Sequence, residues 1–327
     1  MPADQLGATV DDAEAAVWAV LGGKPASNAV LGTGLDPFDL AEAAAVYRRA
    51  GRAALEQAVA DTWQHLYIEF TDWSRAEIVF TEHILPVLVQ HQATGQVRSW
   101  WFLRKHPCWR LRLLAPPRAV LPTELSDALN KAVKTHALSS WWPGVYEAET
   151  AAFGGREAMS AVHELFAADS IATLTIRPTL PDIGERELSI LLVSTMARAA
   201  GLEWYEQGDL WDRVAAERPL PEGRPRALLT QMSKGLLPLL RTDTSPGSAL
   251  VIPGSPMYPA ASWINAFRTA GGRLGMSARS GTAQRGLREI LAYVVIFHWN
   301  RLGLTAGAQA ALAAAARGAF LNVHAEA

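Results

Sequence analysis

Two stretches of the chain alternate apolar and polar side chains and predict β-strands. In HLYIEF, residues 65–70, every second side chain is apolar. In CWRLRLL, residues 108–114, apolar side chains alternate with Arg110 and Arg112. Because successive side chains of a strand point to opposite faces, the apolar set can face a core while both guanidinium groups emerge together on the other face. The preceding WWFLR, residues 100–104, predicts a partner strand, joined through a KHP turn.

Most of the remaining chain has apolar residues at three- and four-residue spacing, which predicts helices. The predicted helices cover 11–23, 37–61, 74–91, 123–138, 156–170, 186–202, 286–304 and 306–321. Residues 217–228 and 243–260 hold many prolines and glycines and are predicted loops that could border a site. This order predicts an α+β fold, an antiparallel sheet with packed helices. We expect a helical N-terminal extension over 1–62 and a catalytic domain over 63–327.

Composition narrows the classes of function. Half of the 327 residues are apolar, and 30 basic against 32 acidic side chains give a net charge of −2. This balance argues against a broad nucleic-acid or membrane-surface footprint. The single cysteine, Cys108, excludes a disulfide framework and a multi-cysteine metal site. No signal peptide, long apolar run, zinc motif or phosphate-binding loop is visible. We expect a cytoplasmic protein without metal or cofactor.

Aromatic and polar residues supply the candidate chemistry. The chain has twelve tryptophans, which either pack the core or form an aromatic surface for flat, apolar ligand groups. The late helix ends in polar residues, with Tyr293, His298 and Arg301 on one broad side of a very apolar segment. Polar groups on a buried helix need partners or a cavity.

Three segments in order resemble a known family. They are WWFLR…RLRLL, then YEAETAAFGGREAMSAVHELFAADS, then FHWNRLG. The pattern is similar to the thiopeptide-type bacteriocin biosynthesis proteins, which are related to the C-terminal elimination domain of class I lantibiotic dehydratases. The likeness runs from about Trp63 to Leu304, and the earlier helices resemble the N-terminal extension of free-standing members. The resemblance implies an enzyme that modifies ribosomally made peptides.

The family has two branches. Elimination enzymes remove glutamate from glutamylated Ser or Thr, and their pattern reads HLRLR, an Arg before a YGG-like turn, and HxNR. Here Arg110 and Arg112 are kept, Cys108 replaces the first His, and residues 298–301 match HxNR. Ala152 stands where the turn arginine would be. Because alanine cannot hold a glutamyl carboxylate, the resemblance favours the second branch, the pyridine synthases.

A pyridine synthase joins two dehydroalanines of a thiazole-containing peptide in a formal [4+2] aza-cycloaddition, then loses water and the leader peptide to leave a macrocycle. This aza-Diels–Alder-type step asks for a proton donor and acceptor at the reacting amide and for positioning of a flexible chain. We predict Tyr293 as the hydrogen-bonding partner of that amide and His298 as a proton shuttle. The predicted substrate contacts are Arg104, Trp109, Arg110, Arg112, Glu149, Trp299, Asn300 and Arg301.

Simpler interpretations remain open at this point. Tyr293 can instead be a core tyrosine, and His298 can be a structural histidine. Glu149 can be a base or only a counterion. The two strand arginines can pair with Glu147 and Glu149. For the whole protein, the alternatives are a glutamate-eliminating lyase and an idle scaffold that binds the precursor. In each case the expected partner is a ribosomal precursor peptide with its leader, together with other enzymes of the pathway.

Overall fold

The computed structural model describes residues 9–59, 62–116, 119–180, 183–221 and 226–321. They fall into two compact units that divide between residues 61 and 62. The first unit is helical, with α1 (Val10–Leu21), α2 (Ala26–Ala29) and α3 (Pro37–Val59). Its small core includes Ala16, Val17 and Leu40. The helical N-terminal section expected from the sequence is therefore present.

A four-stranded sheet opens the second unit. Its strands are β1 (Thr62–Phe70), β2 (Ser99–Lys105), β3 (Cys108–Ala115) and β4 (Leu138–Gly144), in the spatial order β2-β3-β1-β4. All three pairings are antiparallel. The predicted α+β fold with an antiparallel sheet is confirmed. The sequence pattern extended a helix to residue 138, but pairing with β1 draws that residue into β4.

One face of the sheet is apolar. Trp109, Leu111 and Leu113 of β3 are fully buried there with residues of β1, as the alternation predicted. Three helices cover this face: α4 (Ala76–His83), α5 (Leu85–Ala93) and α6 (Thr123–Lys134). The single helix predicted over 74–91 is broken at Ile84, because Pro86 has no N–H to continue the helical hydrogen bonding.

Seven helices form the larger core of this unit, which also receives Trp101 and Leu103 from the opposite face of the sheet. They are α7 (Arg156–Thr175), α8 (Glu185–Ala199), α9 (Trp204–Glu217), α10 (Arg226–Arg241), α11 (Ala261–Arg279), α12 (Leu287–Leu302) and α13 (Ala306–Leu321). Among the described residues, no helix is both long enough and apolar enough to cross a bilayer.

Two of these helices approach each other closely at glycines. A Cβ on Gly271 of α11 would collide with the backbone oxygen of Met196 in α8, and a Cβ on Gly275 would collide with that of Ala200. Glycines four residues apart lie on the same face of a helix. This small-residue stripe therefore sets the distance between α8 and α11.

The edge strand β2 is fastened to the helices through its backbone. The N–H of Phe102 donates to Ser170 Oγ of α7 at 3.1 Å, and Arg301 Nε of α12 donates to the Phe102 carbonyl at 3.2 Å. An edge strand presents unpaired backbone groups, which are costly when buried without a partner. These two contacts satisfy the N–H and the carbonyl of Phe102 and hold the residues beside it, including Trp101, in place.

Candidate functional site

The polar face of the sheet carries two rows of side chains across the strands. In one row, Arg112 stands in register between His65 of β1 and Trp101 of β2. In the next row, Arg110 stands opposite Tyr67. The two arginines therefore share a face, as their spacing predicted. Arg112 is buried, 2 % exposed, whereas Arg110 is half-buried.

Aromatic rings enclose the Arg112 guanidinium. Its Cζ lies 4.1 Å from the ring centroid of Trp101 and 4.8 Å from that of Tyr146. Nε and Nη1 are buried and have no hydrogen-bond partner in the described part of the chain. Burial lowers the pKa of Arg112 to about 10, although Tyr146 and Glu149 partly oppose this. The group stays charged near neutral pH, and these two buried nitrogens keep donor capacity that no described residue uses.

The ion pairs that were the alternative role of these arginines are not formed. Among the described residues, no salt bridge links Arg110 or Arg112 to Glu147 or Glu149. Glu149 is exposed, yet its charge acts on both Arg112 and Tyr146. The carboxylate is therefore a neighbour of the site that influences it electrostatically.

A neutral tyrosine–histidine pair borders Arg112. Tyr146 Oη lies 2.8 Å from Nε2 of His163, which projects from α7, and the Trp63 ring lies 4.6 Å from the imidazole. Burial, followed by the charge of Arg112, lowers the pKa of His163 to about 4. Burial raises the pKa of Tyr146. At neutral pH the phenol can donate to the imidazole, so the pair can relay a proton without changing its charge.

His65 completes the buried row. Its Nδ1 lies 3.3 Å from the Val145 carbonyl, and its buried Nε2 has no partner among the described residues. Burial, and then the charge of Arg112, lowers the pKa of His65 to about 4. The imidazole stacks on Tyr67 with ring centroids 4.4 Å apart. The site therefore consists of the Arg112 cation among neutral aromatic rings, and both Arg112 and His65 keep buried nitrogens without a partner among the described residues.

The HxNR segment does not line this site. His298 is 1 % exposed and its Nδ1 lies 2.9 Å from Oδ2 of Asp169 in α7. Arg301 is fully buried and also pairs with Asp169, which accepts a third hydrogen bond from Trp263 Nε1 at 2.8 Å. The roles of His298 as a proton shuttle and of Arg301 as a substrate contact stay predictions. The structure gives them a packing role that joins α7, α11 and α12.

The charges of this network balance internally. Burial by itself raises the pKa of Asp169, but the charges of His298 and Arg301 and the hydrogen bonds from His298 and Trp263 bring it below its usual value. Burial lowers the pKa of Arg301, against the opposing charge of Asp169. Phe166 lies between the two regions: the Arg301 guanidinium lies 4.6 Å from its ring centroid, and the Trp101 ring packs against it at 4.9 Å. The charge of Arg301 is among those that lower the pKa of Arg112. The network supports the floor of the site from behind.

Two predicted tryptophan contacts are also core residues. Trp109 is fully buried on the apolar sheet face and stacks on Phe102, with ring centroids 4.6 Å apart. Trp299 is fully buried and donates to Ser189 Oγ at 2.8 Å. Neither ring is available to a substrate as the protein is folded here.

Two further predicted contacts have partners elsewhere. Arg104 pairs with Glu77 at 2.5 Å, and its guanidinium lies 4.7 Å from the Trp109 ring. The Asn300 side-chain oxygen accepts from Gln309 at 3.0 Å. Arg104, Trp109 and Asn300 share the lining of a cavity of about 230 Å³. That cavity lies on the apolar side of the sheet, away from Arg112.

Tyr293 is half-buried and lies in a third place. Its hydroxyl donates to Glu217 at 3.4 Å, and the Arg285 guanidinium lies 5.0 Å from its ring. Its ring packs against Phe153, which packs against Phe166 in turn. Tyr293 and the buried HxNR residues therefore do not meet the strand arginines in one site.

Sequence reasoning missed Tyr146, His163 and Asp169. The last two interrupt apolar stretches of α7, and a polar group on a buried helix face needs a partner. That signal was present for both. Nothing local marked Tyr146, which follows β4 in an irregular segment.

Comparison with known proteins identifies the family. The family model described as lantibiotic biosynthesis dehydratase, C-terminal, matches residues 63–320. No protein of curated function matches the chain. Among solved structures, the pyridine synthase TbtD from thiomuracin biosynthesis is similar at 12% identity and a TM-score of 0.60, over 82% of this chain and 100% of that one.

Two other structures are similar. The tRNA dependent lantibiotic dehydratase MibB from Microbispora sp. 107891 has 18% identity and a TM-score of 0.58 over 80% of this chain. The crystal structure of TsrL has 16% identity and a TM-score of 0.57, over 80% of this chain and 94% of that one. This chain spans only 28% of the length of MibB. With most of its length matched by the family model, the chain belongs to the lantibiotic biosynthesis dehydratase C-terminal family.

Proposed function

We propose that this protein modifies a ribosomally made precursor peptide and that its reaction is the formal [4+2] aza-cycloaddition of two dehydroalanines to form the pyridine of a thiopeptide. The observation that carries the proposal is the neutral Tyr146–His163 pair beside the enclosed guanidinium of Arg112. The substrate is a thiazole-containing core attached to its leader.

The first chemical step is a tautomerisation of one amide. A proton leaves the amide nitrogen and another arrives at the amide oxygen, so the resulting imidic acid and the adjacent alkene form a 2-azadiene. Tyr146 can donate its hydroxyl proton to the oxygen, and His163 can take up the proton from the nitrogen. The free N–H groups of Arg112 can stabilise charge that develops on the oxygen.

Later steps use the same groups. Loss of water and expulsion of the leader are eliminations, each of which needs a proton removed from carbon and one delivered to the leaving group. A donor and an acceptor 2.8 Å apart suit both transfers. Ring closure itself needs mainly that two parts of the peptide are held together, which contributes roughly 7–11 kcal/mol in well-oriented systems.

The electrostatics favour a neutral substrate. Glu149 already places a negative charge near Arg112, and a glutamyl carboxylate bound there would be repelled by it. Ala152, half-buried against the helical core, supplies no second guanidinium. A neutral, flat peptide core is not repelled by Glu149 and does not need a second guanidinium.

A second candidate is glutamate elimination. The specific observation in its favour is that Arg112 has two buried N–H groups without a partner in the described chain. A carboxylate could accept a charge-assisted hydrogen bond from either of them. In this reading the site would bind the glutamyl group and eliminate it to give dehydroalanine.

One experiment separates the two reactions. The purified protein is incubated with a dehydroalanine- and thiazole-containing precursor, and separately with the same precursor carrying glutamyl esters, and products are measured by mass spectrometry. A pyridine macrocycle together with a released leader supports cycloaddition. Loss of glutamate alone supports the lyase, and no change in either peptide contradicts both.

Variants then test the assignment of the site. Tyr146→Phe and His163→Gln should each lower turnover about 100-fold or more, because general acid–base catalysis contributes about 10²–10⁴-fold. Peptide affinity should change little. Tyr293→Phe is the matched control, since it removes a hydroxyl that contacts Glu217 instead. If Tyr293→Phe abolishes turnover while Tyr146→Phe does not, the reaction occurs elsewhere.

A further inference from the structure

A row of half-open side chains adjoins the buried site on the same sheet face. Trp142 of β4 stands opposite Tyr67 of β1, which stands opposite Arg110 of β3. The rings of Trp142 and Tyr67 are stacked, with centroids 5.3 Å apart and planes 17° apart. The Arg110 guanidinium lies 5.8 Å from the Tyr67 ring. We call Trp142, Tyr67 and Arg110 the stacking platform.

We propose that the stacking platform binds the flat azole rings of the peptide substrate, an inference that rests on the proposed function. Trp142 is 41 % exposed, and Tyr67 and Arg110 are only half-buried. Core aromatics in this fold are covered instead, as Trp109 is. An exposed, ordered ring offers its face to another π-system.

A glycine helps to shape the platform. A Cβ on Gly144 would lie 2.5 Å from Cε2 of Tyr67. The missing side chain lets the Tyr67 ring lie over this position, where it also stacks on His65 at 4.4 Å. The rings of the platform and the imidazole of the buried row are thereby continuous.

The platform also has the right separation from the reacting groups. Arg110 and Arg112 are two residues apart on one strand, which is about 7 Å. An extended peptide covers about the same distance in two residues. Because Trp142 and His65 stack on Tyr67, an azole ring would stack on the exposed Trp142 ring, and the peptide would continue along the same sheet face towards Arg110 and Arg112.

The charge of Arg110 and the net charge of the chain indicate the class of ligand. Among the described residues no carboxylate forms a salt bridge with Arg110, so its cation is available to an electron-rich ring or a carbonyl. The chain as a whole has a net charge of −2, which argues against a nucleic acid as the ligand. Neutral heteroaromatic rings in a peptide fit both observations.

The test is binding of a fragment that cannot react. A short peptide with two consecutive thiazoles and no dehydroalanine is titrated into the purified full-length protein, beside the same peptide with unmodified cysteines. We expect the thiazole peptide to bind more tightly. Trp142→Ala should weaken its binding about 5-fold or more, the lower end for loss of one stacked aromatic, and Trp142→Phe should restore most of it.

Controls distinguish the possible outcomes. Trp18→Ala removes an exposed tryptophan in the other unit and should leave the affinity unchanged. Equal affinity for the two peptides, no effect of Trp142→Ala, or tighter binding of a single-stranded oligonucleotide overturns the inference. Platform-dependent binding without turnover of the full precursor contradicts only the proposed function. Full turnover by Trp142→Ala with unchanged fragment affinity contradicts only the platform.

Discussion

Replacement of Asp169 by asparagine tests whether the HxNR segment stabilises the fold. Asp169 is fully buried and accepts hydrogen bonds from Trp263, His298 and Arg301. Asparagine keeps the shape but leaves the buried Arg301 without an opposing charge. Loss of one partner of a buried ion pair costs about 3–5 kcal/mol. With an m value of about 3 kcal/mol per M urea, the unfolding midpoint should fall by about 1–2 M.

The matched control is an exposed ion pair. Asp212 pairs with Arg317 at 3.2 Å, and both side chains are about half exposed. Asp212→Asn should cost at most about 1 kcal/mol. Urea unfolding followed by tryptophan fluorescence measures both variants. If Asp169→Asn costs no more than Asp212→Asn, the network does not stabilise the fold through its charges and the reasoning is refuted.

The pH dependence gives a second check on the same variant. Because the pKa of Asp169 is lowered in the folded protein, its carboxylate stabilises the fold above the unfolded pKa of about 4. That contribution is lost as the pH falls through the lower, folded pKa. The difference between the protein and Asp169→Asn should therefore shrink in acid.

Further predictions concern packing and protonation. Gly271→Ala should lower the unfolding free energy by about 1–3 kcal/mol, because its Cβ collides with Met196. The adjacent Gly272→Ala, whose Cβ meets its nearest atom at 3.9 Å, should be neutral or raise the unfolding free energy by about 0.5–1 kcal/mol. Thermal unfolding compares the two variants. An equal effect of both would contradict the packing argument. Since the pKa of His163 falls from 6.5 to about 4 on folding, its imidazole takes up a proton on unfolding, and the unfolding free energy should fall as the pH drops from 6.5 to 4. His163→Gln should flatten that slope in urea titrations, and an unchanged slope would show that His163 is not neutral in the fold.

Local pattern predicted much of the fold. Period-two alternation placed β1 and β3, and apolar spacing placed α7, α8, α12 and α13, because one face of each element must be buried. The starts of β4 and α5 were missed, since one depends on pairing with β1 and the other on a proline within an apolar run. The helices α9, α10 and α11 were not delimited from the sequence.

The candidate site was also predicted only in part from the sequence. The spacing of Arg110 and Arg112 was enough to put both on one sheet face. It did not reveal that Arg112 would be buried beside His163 of α7 while Arg110 stays half-open. Burial depends on which helix covers each row, and this information lies far along the chain.

The sequence by itself determined the family, the class of fold and the common face of the two strand arginines, because these follow from residue identities and from periods of a few residues. Only the tertiary structure decided that His298 belongs to a packing network, since its partner Asp169 lies 129 residues away. It likewise brought Tyr146 and His163 together beside Arg112. Long-range pairing depends on the free energy of the assembled core, and no local pattern of residues contains it.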